Sequence, residues 1–189
     1  MFGWLAARST SLCRRAPLTV VSRRARPIKP QSLLSTLPAF GSVLYLHASA
    51  EAIVLDSLPS SLLVTQRAFA PLLDTCWLMA TSVVTDDGPR EWFECIDRFG
   101  HPRARLHLLP DTDYLAWDAL MSSCEPGGQL SRLPGAAPLR PDRAMVVNFQ
   151  LRKLAGLSLL EQGRAVSLSP LGERIAARIA HAESAALLK

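Results

Sequence analysis

A chain of 189 residues with 49% hydrophobic content is long enough to bury one core of ordinary size. Its net charge of +5 admits an anionic partner without identifying one. No run of roughly 18 apolar residues offers a membrane-spanning helix, and the cysteines at 13, 76, 95 and 124 lack the C-x-x-C spacing of a metal knuckle.

In residues 1–30, Arg8, Arg14, Arg15, Arg23, Arg24, Arg26 and Lys29 stand with no acid among them. The composition reads as a disordered basic tail. It fits equally an organelle transit peptide, an anion-binding arm or a translated leader. Gln31 to Pro38 (QSLLSTLP) is a short helix stopped by its proline. Gly41 to His47, Ala52 to Asp56 and Ser61 to Thr65 read as strands, and Ala68 to Asp74 as a short helix or loop around Pro71.

The stretch from Cys76 to Cys124 organises the rest. Three β-favouring runs are separated by Asp87-Gly88-Pro89 and by Phe99-Gly100-His101-Pro102, both hairpin signals. In the middle run Trp92, Glu94 and Ile96 share one face, while Glu91, Phe93, Cys95 and Asp97 share the other. In the last run Ala104, Leu106 and Leu108 face one way, and Arg103, Arg105 and His107 the other. The apolar face should pack; the polar face should be wet or meet a ligand. Cys76 and Cys95 read as small core residues of a protein in a reducing compartment. A helix follows from Thr112 with Asp113 in its first turn. Leu115, Leu120 and Met121 form its stripe, with Ala116 and Trp117 beside them. Residues 126–141 are a Pro/Gly-rich linker. From Asp142, the spacing of Met145, Phe149, Leu151 and Leu154 predicts a helix ending at Gly156, and Pro170 opens a last helix through Ile175, Ile179 and Leu187. The fold class expected is α+β, a central antiparallel meander with flanking helices and a helical C-terminus. Residues 31–125 would be the module and 142–189 a helical segment packed on it.

Catalytic signatures are missing: no P-loop, G-x-G-x-x-G, G-x-S-x-G or H-E-x-x-H occurs. Asp86-Asp87 and the Asp111/Asp113 pair read as a solvated turn and a helix start. His101 sits at a turn tip, and His107 shares a strand face with Arg103 and Arg105. Histidine ligates iron and arginines hold carboxylates, so such a face suits an amphipathic anion such as haem, with His107 as metal ligand. The bland alternative is a solvated basic strand face. The segment LEQGRAVSLSPLGERIAARIA resembles the wing and following helix of winged-helix regulators, which would make Arg152 and Lys153 part of a recognition helix for nucleic acid or a protein partner. Its bland alternative is a pair of amphipathic helices covering the sheet.

Over about residues 33–121 the order of phrases resembles one module of the cytoplasmic haemin-handling proteins, the HemS/HmuS/ChuX superfamily. The phrases are Leu37-Pro38-Ala39-Phe40-Gly41-Ser42-Val43, then Cys95-Ile96-Asp97-Arg98-Phe99-Gly100, then Asp113-Tyr114-Leu115-Ala116-Trp117-Asp118-Ala119-Leu120. The resemblance implies a large antiparallel sheet with packed helices. It implies haem binding or trafficking in iron acquisition, a cytoplasmic setting, and a homodimer as one assembly. No catalytic side chains are implied; any ring cleavage would be chemistry of the bound iron. Arg105 falls where the family often carries a basic residue. The chain has room for one module where full-length members have two. The family's axial histidine has no counterpart, and Trp77-Leu78-Met79-Ala80-Thr81-Ser82 stands where the family has arginine and lysine.

Overall fold

The computed structural model describes residues 19–48, 61–85, 88–123, 138–164 and 167–188. The strands are β1 (Thr19–Pro27), β2 (Gly41–His47), β3 (Leu62–Val64), β4 (Trp77–Thr85), β5 (Gly88–Ile96), β6 (Pro102–Thr112), β7 (Arg143–Leu154), β8 (Leu157–Gln162) and β9 (Ala186–Leu188). The helices are α1 (Pro30–Thr36), α2 (Tyr114–Ser123) and α3 (Pro170–Ala182), with 3-10 helices at Leu37–Phe40 and Arg67–Asp74. The nine strands form one mixed sheet in the order β1-β4-β5-β6-β2-β7-β8-β3, with β9 beside β7. The expected α+β class and the meander β4-β5-β6 are present. Pairing is antiparallel except at β3–β8 and β7–β9.

The first face of the sheet carries the large core. Val43, Tyr45, Leu78, Phe93, Leu106 and Phe149 meet Leu33, Leu37, Phe40, Phe69, Trp117 and Leu120 from the helices. Trp117 stacks on Phe93 with ring centroids 3.8 Å apart and an interplanar angle of 5°. The second face is covered in part by α3. There Leu44, Leu46, Leu109 and Ala144 pack against Ala176, Ile179 and Ala180.

Two carboxylates seat the helices. Asp113 Oδ1 accepts Leu115 N at 2.9 Å and Ala116 N at 3.2 Å, which caps α2. Asp111 belongs instead to α3: it accepts Ser169 N at 2.8 Å and Ser169 Oγ at 3.0 Å. Ser169 Oγ in turn accepts Gly172 N at 3.0 Å. A Cβ at Gly172 would lie 2.0 Å from Asp111 Oδ2, so the close seat requires glycine. Ser169-Pro170-Leu171-Gly172 is thus a docking turn for a carboxylate of β6.

Several expectations are corrected. The helix expected from Asp142 to Gly156 is a strand and hairpin turn. Met145, Val147, Phe149 and Leu151 point to the large core with period 2, while Ala144 and Val146 meet α3. Ala155 and Gly156 hold φ of 48° and 84°, the left-handed pair of a tight hairpin. Arg152 and Lys153 therefore lie on a strand, not on a recognition helix. Residues 19–27 of the expected tail form β1, an edge strand paired with β4, where arginines suit an exposed edge. Leu115 is 80% exposed; the buried stripe of α2 is Trp117 and Leu120. The strand expected at 52–56, the Asp86-Asp87 pair, residues 1–18 and residues 126–137 of the linker lie outside the described residues.

Candidate functional site

Arg103, Arg105 and His107 alternate against Ala104, Leu106 and Leu108, as the sequence requires. At Arg105 and His107 this face is not wet, with Arg105 8% exposed and His107 4%; Arg103, at the strand's start, is exposed as expected. Arg105 donates through Nη2 to Glu94 Oε1 at 2.7 Å and through Nη1 to Glu183 Oε1. Arg23 Nη2 lies 3.7 Å from Glu94 Oε2. A buried guanidinium needs such acids, and here it has two. Its carbon lies 5.7 Å from the Trp92 ring centroid. His107 lies against the same indole, centroids 5.3 Å apart. Neither ring nitrogen of His107 has a hydrogen-bond partner, nor do Trp92 Nε1 and Arg105 Nε. Burial, then the charges of Arg105 and Arg90, hold His107 well below the usual imidazole range, so it is neutral at pH 7.

His101 belongs to the β5–β6 turn, and Arg103, the second residue of β6, reaches back to it. Arg103 Nε donates to Asp97 Oδ2 at 2.7 Å, and His101 Nδ1 lies 3.5 Å from the same oxygen. Asp97 Oδ1 accepts Phe99 N at 2.8 Å and His101 N at 2.9 Å. Burial acts to raise this carboxyl, but the bonds from His101, Arg103 and Phe99 outweigh it and hold it below its usual value. Gly100, at φ 87°, supplies the left-handed residue the turn needs. The structure thus keeps His107 and Arg105 together under the second face and ties Arg103 and His101 to Asp97. Cys76 and Cys95 are free thiols, and burial pushes Cys95 up to about 12. Among the described residues no group of three His, Cys, Asp or Glu could hold a metal ion, and no helix is long and apolar enough to cross a membrane.

A second set of residues borders a cavity of about 410 Å³ at the end of β2. His47, Gln66, Arg67 and Arg143 supply its polar wall; Pro71, Met145 and Leu188 supply its apolar wall. The sheet register brings them together, since His47 pairs with Arg143 and Met145 with Leu188. His47 is 6% exposed, and its ring stacks on Tyr45 at 5.4 Å and 28°. Its Nδ1 lies 3.0 Å from Ala48 O. A carbonyl only accepts, so Nδ1 carries a proton, and in the neutral ring Nε2 holds the lone pair. That Nε2 has no partner. Tyr45 Oη donates to Ala68 O at 2.7 Å, which ties the 3-10 helix bearing Arg67 to β2. No acid lines the cavity, and neither Arg67 nor Arg143 has an ion pair among the described residues.

The sequence did not point to this set. Residues 47, 66, 67, 143 and 188 have no common spacing, and only the fold joins them. The one local hint is a histidine ending an otherwise apolar strand, GSVLYLH.

No family model matches the chain, and no curated protein matches it. Among solved structures it is similar to that of holo-PhuS, a haem-binding protein from Pseudomonas aeruginosa, at 14% identity and a TM-score of 0.37. The likeness covers 61% of this chain and 37% of that one, so the chain spans little more than a third of its length. At that score the likeness carries no argument about ligand.

Proposed function

We propose that this chain binds and carries haem, in the manner of a haemin-handling module, with the cavity at the end of β2 as its seat. The observation that supports the reading is the composition of that cavity. A buried histidine with a bare nitrogen and two arginines without acids border it alongside an apolar wall. Haem asks for those three things: an imidazole lone pair for the metal, cations for two propionates, and apolar surface for the ring. His47 would hold the metal, and Arg67 and Arg143 the carboxylates. Bound haem would supply iron chemistry of its own; the protein's part is to bind and orient. The β6 residues fit haem less well, because Arg105 and Arg103 already have carboxylate partners.

Haemin titration followed by absorbance tests the reading. Wild type should bind at micromolar haemin with a shifted Soret band. His47→Ala should change that band, and Arg67→Ala with Arg143→Ala should weaken binding with the band kept, by about 1.5–3 kcal/mol per lost charge-assisted contact. His107→Ala and Arg105→Ala serve as the rival seat. If His107→Ala alters the band and His47→Ala does not, the seat is on β6. If wild type binds no haemin, the carrier function fails.

A further inference from the structure

We propose that strand β9 is a movable wall of the β2-end cavity, hinged just past Ala185 and anchored by the capped end of α3 and Glu183. Only the ligand arm of this proposal rests on the haem reading.

Leu188 borders the cavity, and so do Arg143 and Met145, the residues of β7 along which β9 lies. Drawing β9 away would remove part of the wall and open the edge beside both. That wall is held lightly. β9 has three residues, all exposed, and it pairs parallel with Arg143–Met145 alone. Parallel pairing is slightly weaker per residue than antiparallel, and a strand this short buries little. Its first amide, Ala186 N, donates to Asp142 O at 2.8 Å.

The segment just before it is held firmly. The start of α3 is seated on Asp111, and its apolar stripe is buried against β2, β6 and β7. At its end Glu183 pairs with the buried Arg105. Between anchor and strand stands Ser184 at φ 58°, a left-handed non-glycine residue. It closes the end of α3: Ser184 N donates to His181 O at 3.1 Å and Ala185 N to Ala180 O at 2.9 Å, the pair of bonds that caps a helix on a left-handed residue. Ala185 also packs against the α3 layer, so motion is confined to residues 186–188 while α3 and its cap stay on the sheet.

The full chain carrying Ala144→Cys and Leu187→Cys tests this. The two positions are register partners, and neither borders the cavity. Bridging them, confirmed by mass, should slow haemin uptake and release by about tenfold or more, with reduction restoring both, since opening would then gate exchange. Equal rates in the oxidised and reduced forms would overturn the proposal. A second arm uses no ligand. Hydrogen exchange at Ala186–Leu188 should run about 100-fold faster than at Val43–Leu46, as for a locally opening segment. Equal protection would mean that the wall opens only with global unfolding, which also overturns it. A wild type that binds no haemin defeats the carrier reading, and exchange alone then decides the wall.

Discussion

The two faces of the sheet are built on different principles. The first is an interlocked apolar layer in which Phe40, Phe93 and Trp117 form one ring cluster, and Tyr45, Phe69 and Phe149 another. The second joins small side chains of α3 to Leu44, Leu46 and Leu109, then fastens the helix at both ends with charge: Asp111 at its start, Arg105 at its end. Layers of the first kind resist by area removed from water, whatever the pH. Layers of the second kind depend on a few polar contacts and on the protonation states under them.

The largest expected effect is on the first face. Trp117→Ala should cost about 3–5 kcal/mol in urea unfolding, as for other buried large aromatics. A loss below about 1 kcal/mol would put the contrast in the wrong place. Next comes the seat of α3. Gly172→Ala forces a methyl group against the Asp111 carboxylate and should cost about 1–3 kcal/mol, the range for overpacking. Asp111→Ala with Gly172→Ala should then lose little more than Asp111→Ala alone, because the clash is gone. The smallest effect is a pH slope. His107 has a folded pKa below its unfolded value near 6.5, so the unfolded chain binds the proton first as pH falls. Its contribution is complete above about pH 6.5 and shrinks by roughly 1.4 kcal/mol per unit below it. Urea midpoints at pH 7.5 and 5.5 should show this slope in wild type, reduced in His107→Leu. An unchanged slope in the variant would mean that other groups set the acid limit.

The meander was legible because turn residues and period-2 faces agree there: Phe93 and Cys95 inward on β5, Leu106 and Leu108 inward on β6. β7 was not, because Met145, Phe149 and Leu151 also satisfy a loose helical spacing. The deciding feature is the Ala155-Gly156 turn, which only makes sense once β8 is seen to pair. β1 was hidden by its charge, since an edge strand with one partner can be as basic as a tail. At the candidate site, spacing on β6 predicted who shares a face but not what covers it. The acid that engages Arg105 from α3 is Glu183, 78 positions away in sequence.

β2 is flanked by β6 on one side and β7 on the other. During synthesis the β6 side is available early, but β7 emerges only after a long intervening stretch. At translation rates of roughly 5–20 residues per second, the second edge of β2 waits for several seconds. Val43 to Leu46 are all fully buried in the finished fold. An emerging chain therefore presents an apolar strand with one edge unpaired until residue 143 and those after it leave the ribosome. Chains halted before Arg143 should be held by chaperones or lost to aggregates, while complete chains should not.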